Sequence, residues 1–177
     1  MTDTQYILTD ELEPVVAAVK AALGLTVLNY HYGEVEELNE TLKQWEADPV
    51  KYNLKFPLVW VAEPYQITIG EVGIYGTAEV NLFVINETQK TWKAKERMEN
   101  NFKPVILPIY RELLKQIGIN VAFDHPFGRV PEHKTINRYY MGENRQSTLN
   151  DVVDAMKISG LKLRIHEKQN CSPFTNM

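Results

Sequence analysis

The chain has little of what side-chain chemistry usually requires. It holds one cysteine, Cys171, so no disulfide closes within a chain, and folding in a reducing cytosol is expected. A catalytic thiol wants a positioned histidine, and Cys171 reads as a tail residue without a role. No run approaches the ~20 apolar residues of a membrane span. Met1 to Gln5 carries no basic region, so no signal peptide is expected. An excess of positive charge is also missing. With 19 Lys and Arg against 23 Asp and Glu, the net charge is -4, whereas a protein that grips nucleic acid shows a basic excess or stripe. The longest basic cluster, Lys93 to Arg97, is interrupted by Glu96 and followed by Glu99, which reads as a solvated helix face.

Motifs are equally scarce. The glycines form neither GxGxxG nor a P-loop, and no GxSxG elbow is present. The four histidines, His31, His125, His133 and His166, fit no HExxH or Cys/His spacing. His125 and His133, with Asp124 and Glu132, are the one set able to gather in a loop, and surface or interface positions are the default for them. A metal nuclease wants an acid followed by an acid-x-lysine on an adjoining strand. Glu71 and Glu79 are available, but Asn81 stands where the lysine belongs. No catalytic, cofactor-binding or metal-binding residue is therefore assigned, and no cofactor is expected.

What the chain does have is an ordered series of elements. Hydrophobic residues at 44% and charged residues at 24% suit a soluble globular protein that buries a core without staples. One α+β domain over residues 1–168 is expected, with a helical insertion at 34–46, a long loop at 124–148 and a tail at 169–177. Thr9 or Asp10 caps a first helix, whose residues Leu12, Val15, Val16, Val19 and Leu23 share one face. Gly24 is its C-cap, and Thr26 to Tyr32 reads as a strand. Val35, Leu38, Leu42 and Trp45 give the 34–46 segment a narrow apolar stripe.

Phe56-Pro57 then opens Leu58 to Ala62, apolar on both faces as in a covered strand. Ile67 and Ile69 suggest a further short strand. From Ile74 to Val84 the alternation is clearest, with Ala78, Val80, Leu82 and Val84 facing one way and Thr77, Glu79 and Asn81 the other. The first set is expected on helices, the second toward solvent or a neighbouring subunit. A helix over Thr91 to Ile117 places Trp92, Phe102, Ile106, Ile109 and Leu113 on one face, with a kink or a break at Pro104 and Pro108. A strand is possible at Thr135 to Tyr140. The last strand changes phase, and a β-bulge or tight turn at Ser159-Gly160 reconciles Met156 and Ile158 with Leu161 and Leu163.

This element order resembles that of the tail-terminator and head–tail connector proteins of tailed bacteriophages. The resemblance rests on the helix Asp10–Leu23, the Phe-Pro strand entry Phe56-Pro57-Leu58-Val59-Trp60 and the long strand Thr77 to Val84. It continues in the aromatic-x-Pro helix Phe102-Lys103-Pro104-Val105-Ile106 and the closing strand Leu161–Ile165. The 34–46 helix and the 124–148 loop depart from that pattern. The resemblance implies a mostly antiparallel sheet packed against two main helices. It further implies a homo-oligomeric ring of six or twelve subunits in the virion, at the head–tail junction or tail, assembled in the bacterial host cytoplasm. Its partners would be portal, connector or tail-tube proteins, with genomic DNA passing through the lumen without sequence-specific binding and no membrane contact. The alternatives are a small metal-dependent nuclease and a monomeric ligand-binding domain with its pocket under the long loop.

Overall fold

The computed structural model describes residues 8–69, 75–120, 123–124, 132–141 and 149–166. Helix α1 (Leu8–Ala22) is followed by strand β1 (Asn29–Gly33), helix α2 (Val35–Ala47), a 3₁₀ turn (Tyr52–Leu54), and the long strands β2 (Leu58–Ile69) and β3 (Tyr75–Glu87). Next comes a helical region in three pieces: α3 (Ala94–Arg97), a π-helical segment (Met98–Ile106) and α4 (Leu107–Ile119). The strands β4 (Phe123–Asp124) and β5 (Glu132–Ile136), a 3₁₀ turn (Tyr139–Met141) and β6 (Val153–His166) follow. The fold is α+β, built on one six-stranded sheet ordered β1-β2-β3-β6-β4, with β5 also pairing with β6. β1 runs parallel to β2 and every other pairing is antiparallel.

Alternation along β3 sorts the core. Ala78, Val80, Leu82 and Val84 join Val59 and Val61 of β2 and Ile158, Leu161 and Leu163 of β6 on one face. The apolar stripes of α1, the π segment and α4 cover that face, with Leu12, Val16, Phe102, Ile106 and Leu113 buried among them. This is the packing expected for Val80, Leu82 and Ile106. Trp92 differs from the expectation. It precedes α3, is half-buried, and lines a cleft instead of the helix-packed core.

The opposite face was expected to be open, and it is open only in part. Phe83 and Ile85 of β3, with Leu58 and Trp60 of β2, pack under Leu38 and Leu42 of α2 in a second core. The 34–46 segment therefore covers the sheet, and it is short because only half of that face is apolar. Further along β3, Glu79 is exposed and pairs with Lys162 at 3.4 Å, while Asn81 is half-buried. The stretch 124–148 likewise holds more than loop. Its described part forms β5 and the 3₁₀ turn, where the Tyr139 ring meets Phe83 tilted by 37°, with ring centres 5.2 Å apart. The strand anticipated at 135–140 lies three residues earlier, because Arg138 adopts a positive φ of 57° and ends it.

Several local signals translate directly. Gly24 sits at φ 61° just past α1, its N–H bonded to the Ala21 carbonyl while the Leu25 N–H bonds to that of Lys20. That is the αL helix stop for which glycine is suited. β2 runs as one strand through Ile69, with its register interrupted between Ala62 and Gln66. Pro64 falls in that interval, where a residue without an N–H cannot continue a ladder. In the π segment, Pro104 removes the N–H that an α-helix would bond to residue 100. The backbone widens, and the Leu107 N–H reaches the Phe102 carbonyl five residues back. Pro108 stands in the first turn of α4, where no N–H is needed.

The phase change in β6 is a bulge. Val80 pairs with Leu161 but Leu82 with Ile158, so Ser159 and Gly160 together oppose Asn81. Gly160 takes φ 62° and donates its N–H to Asn81 Oδ1 at 3.4 Å. A Cβ there would meet only Glu79 Oε1, at 3.2 Å, the far end of a flexible side chain. The expected cost of Gly160→Ala is thus mainly the αL conformation, about 1–2 kcal/mol. Urea unfolding measures it, and a neutral result would place the bulge elsewhere in the strand.

Candidate functional site

The residues considered for chemistry do not come together. His31 lies on β1 and His133 on β5, at opposite edges of the sheet. His166 ends β6, while His125 and Glu71 fall outside the described residues. Glu79 is engaged by Lys162 and Asn81 by the bulge. Among the described residues, no three His, Cys, Asp or Glu side chains gather in a way that would hold a metal ion. No helix among them is long and apolar enough to cross a membrane.

What the fold presents instead is two unlike edges. β1 follows the αL stop of α1 and immediately precedes α2, so it is placed between these two helices. Tyr30 and Tyr32 turn toward α1, with the Tyr30 hydroxyl donating to the Thr9 carbonyl at 2.9 Å. His31 turns toward α2. The edge forms an open groove of about 490 Å³ whose walls carry Asp10 and Glu13 from α1 and Glu37 and Glu40 from α2. Among the described residues, no lysine or arginine lines it. Tyr32 is 51% exposed there. Burial holds the His31 imidazole below its ordinary pKa, opposed by the nearby Glu37 carboxylate. Its Nε2 is buried with no hydrogen-bond partner among the described residues. Glu37 also accepts from the Glu34 N–H at 3.2 Å, closing a capping box at the start of α2.

The other edge is β5, where Glu132, His133, Lys134 and Thr135 are all exposed. Its register on β6 pairs Lys134 with Lys157 and Ile136 with Ala155. His133 turns to the α4 side, where its Nδ1 and the Tyr110 hydroxyl share a hydrogen bond and the rings meet edge to face at 5.3 Å. Lys134 turns the opposite way, beside Lys157, whose ammonium stands 5.5 Å from the Phe83 ring centre. Among the described residues this flank sets Lys134, Arg138 and Lys157 against the single acid Glu132.

Below these edges lies a buried polar joint that the sequence did not announce. Arg97, read from its neighbours as part of a solvated face, is 1% exposed. Its Nη1 donates to Asp154 Oδ1 at 2.7 Å and to Thr88 Oγ1 at 3.0 Å. Nη2 reaches the Gln89 carbonyl at 2.6 Å and Nε the Trp92 carbonyl at 3.0 Å. Asp154 also accepts from Asn101 Nδ2 and from the Arg138 backbone N–H. Four of the five guanidinium N–H groups and both carboxylate oxygens are engaged, so the joint is structural: it ties the end of β3, α3, the start of β6 and the turn after β5.

Above it lies a polar cleft of about 660 Å³, bordered by Lys55, Phe56, Asn86, Trp92 and Asp151. Lys55 is ion-paired to Asp151 and lies 3.8 Å from Glu46. Among the described residues, none from 124–148 lines this cleft. Comparison of the sequence with protein-family models and with curated proteins found no match.

Proposed function

We propose that the chain is a structural protein of a tailed bacteriophage that forms a closed homo-oligomeric ring, of six or twelve subunits, at the head–tail junction or tail. In this reading it sits in the virion as terminator or connector, against portal, connector or tail-tube proteins, and the genome passes through its lumen. The carrying observation is that one sheet ends on two different edges, an acidic groove at β1 and an exposed strand at β5 whose Lys134 is flanked by Lys157 of β6 and Arg138 of the following turn. Contacts between unlike patches propagate head to tail and close into a ring when the rotation fits, whereas a two-fold dimer needs one patch that complements itself. The order of elements, from α1 through the Phe56-Pro57 entry of β2 to the Pro104 helix, supports the phage assignment by resemblance. A net charge of -4 suits passage of DNA, because phosphates slide past an acidic wall and adhere to a basic one.

The test is inactivation of the coding gene in the parent phage. Unjoined heads and tails, or tails of abnormal length, are the expected products under electron microscopy, and plasmid-borne protein should restore joining. Infectious particles of ordinary form and yield from the inactivated phage would end this reading.

A further inference from the structure

We infer that the ring closes by sheet continuation, with β5 of one copy entering the β1 groove of the next and pairing with β1. The inference rests on the ring reading and specifies its interface. β1 is the outermost strand of the sheet order, and β5 lies on the outer side of β6 at the other end. Each is five residues long. Strand polarity follows from the sheet itself. β1 is parallel to β2, β2 antiparallel to β3, β3 antiparallel to β6, and β6 antiparallel to β5. An operation that carries one copy onto the next while continuing the sheet therefore brings β5 antiparallel to β1, an allowed ladder.

Side-chain parity then restricts the register. A slip of one residue would exchange the two faces of the entering strand. Full overlap sets Tyr30 opposite Thr135, His31 opposite Lys134 and Tyr32 opposite His133. In that register Tyr30, Tyr32, Thr135 and His133 share the α1/α4 face, and His31 and Lys134 share the α2 face. Charge agrees with geometry at Lys134, while Glu132, on the same face, falls opposite Gly33 beside Glu37 and offsets part of that attraction. Lys134, with Lys157 beside it, comes to the wall that carries Glu37 and Glu40. The opposite wall, with Asp10 and Glu13, receives the His133 side. Among the described residues, no lysine or arginine lines the groove beside these four carboxylates, and the entering flank supplies Lys134 and Lys157. Strand addition of this kind draws affinity from main-chain hydrogen bonds and specificity from side chains on alternate faces. The unlike charges of the two edges also disfavour β1–β1 and β5–β5 pairing, in which like charges would be juxtaposed.

Two experiments test the pairing. In a Cys171→Ser background, Tyr32→Cys and His133→Cys together should give, on mild oxidation, a ladder of disulfide-linked oligomers ending at the ring's subunit number. Either cysteine alone should give at most a dimer. In the parent phage, Glu40→Lys or Lys134→Glu alone should lower infectious yield by at least about 10-fold, and the two together should restore most of it. Glu40 and Lys134 are both exposed, so loss of folding is not the expected cause, and the far-ultraviolet circular dichroism of each variant checks this. Rings visible in micrographs without the disulfide ladder, or single reversals that the double variant does not rescue, overturn the β1–β5 pairing and leave the ring reading intact. Ordinary particles from the inactivated phage overturn the ring reading itself. Neither ladder nor ring, at any protein concentration or in infected cells, counts against both.

Discussion

Asp154→Ala should cost about 3–5 kcal/mol of folding stability, the range for breaking a buried ion pair from one side. Asp154 is fully buried and Arg97 nearly so. Removing the carboxylate leaves a guanidinium that water cannot reach, takes from Asn101 Nδ2 one of its two acceptors, and removes the acceptor of the Arg138 N–H. Arg97→Met should fall in the same range, because the carboxylate then stays buried with two neutral donors. Combining Arg97→Met with Asp154→Leu removes both charges together, and the cost should be well below the sum of the singles, with a coupling of roughly 1–3 kcal/mol. Urea unfolding of the four proteins gives the cycle. A cost under about 1 kcal/mol for Asp154→Ala would be the behaviour of an exposed pair and would mean that water enters this joint.

The loss should reach beyond the joint. Asp154 holds the backbone of Arg138, which directly follows β5 through Asn137, and so fixes where the edge strand ends. Asn101 bridges to the Glu87 carbonyl and to Asn86, at the far end of β3. One carboxylate thus sets the position of the edge against the helix-packed face. A variant that weakens it should release β5 before the central strands, and amide exchange should show Glu132 to Ile136 losing protection first.

The contrast between what was legible and what was not follows from the range of the signal. Alternation in β3 and the stripes of α1 and α4 are local periodicities, and they predicted the main core correctly. The phase slip at Ser159-Gly160 was readable because parity within one strand cannot change without an extra residue. Gly24 was readable because few residues accept αL. The Arg97–Asp154 joint was not, since its partners are 57 residues apart in sequence and Arg97 stands in a run of charged residues that resembles a surface. Trp92 was misplaced for a related reason: helical spacing was extended backward past Lys93, whose N–H donates to the Glu96 carboxylate where the helix begins. The polar stretch around β5 blurred the bounds of its strand, read at 135–140 and found at 132–136, because edge strands need no buried alternation and its first four residues are exposed. The acidic groove was invisible because its walls come from two helices separated by a strand, and each helix shows only ordinary surface acids.

Leu42→Ala should cost about 2–5 kcal/mol, the cost of truncating a fully packed leucine, and Leu38→Ala should match it. If the 34–46 helix were a surface insertion, both changes would fall within about 0.5 kcal/mol of wild type, as exposed substitutions do. The structure places both leucines at or below 1% exposure, over Leu58, Trp60, Phe83 and Ile85. Without α2, that half of the sheet would present aromatic and aliphatic residues to water, including the stacked pair Trp60 and Phe83 at 4.9 Å. Glu36→Ala, on the exposed side of the same helix, is the control and should be near neutral. The same helix supplies Glu37 and Glu40 to the groove at β1, so its packing and the proposed assembly surface are coupled. At a temperature where Leu42→Ala is still mostly folded, its Tyr32→Cys/His133→Cys derivative should give a weaker disulfide ladder than the parent pair, because a loosened α2 no longer holds one wall of the groove. A ladder of unchanged strength alongside a full stability loss would show that the α2 wall takes no part in assembly, and would shift the contact to the α1 side.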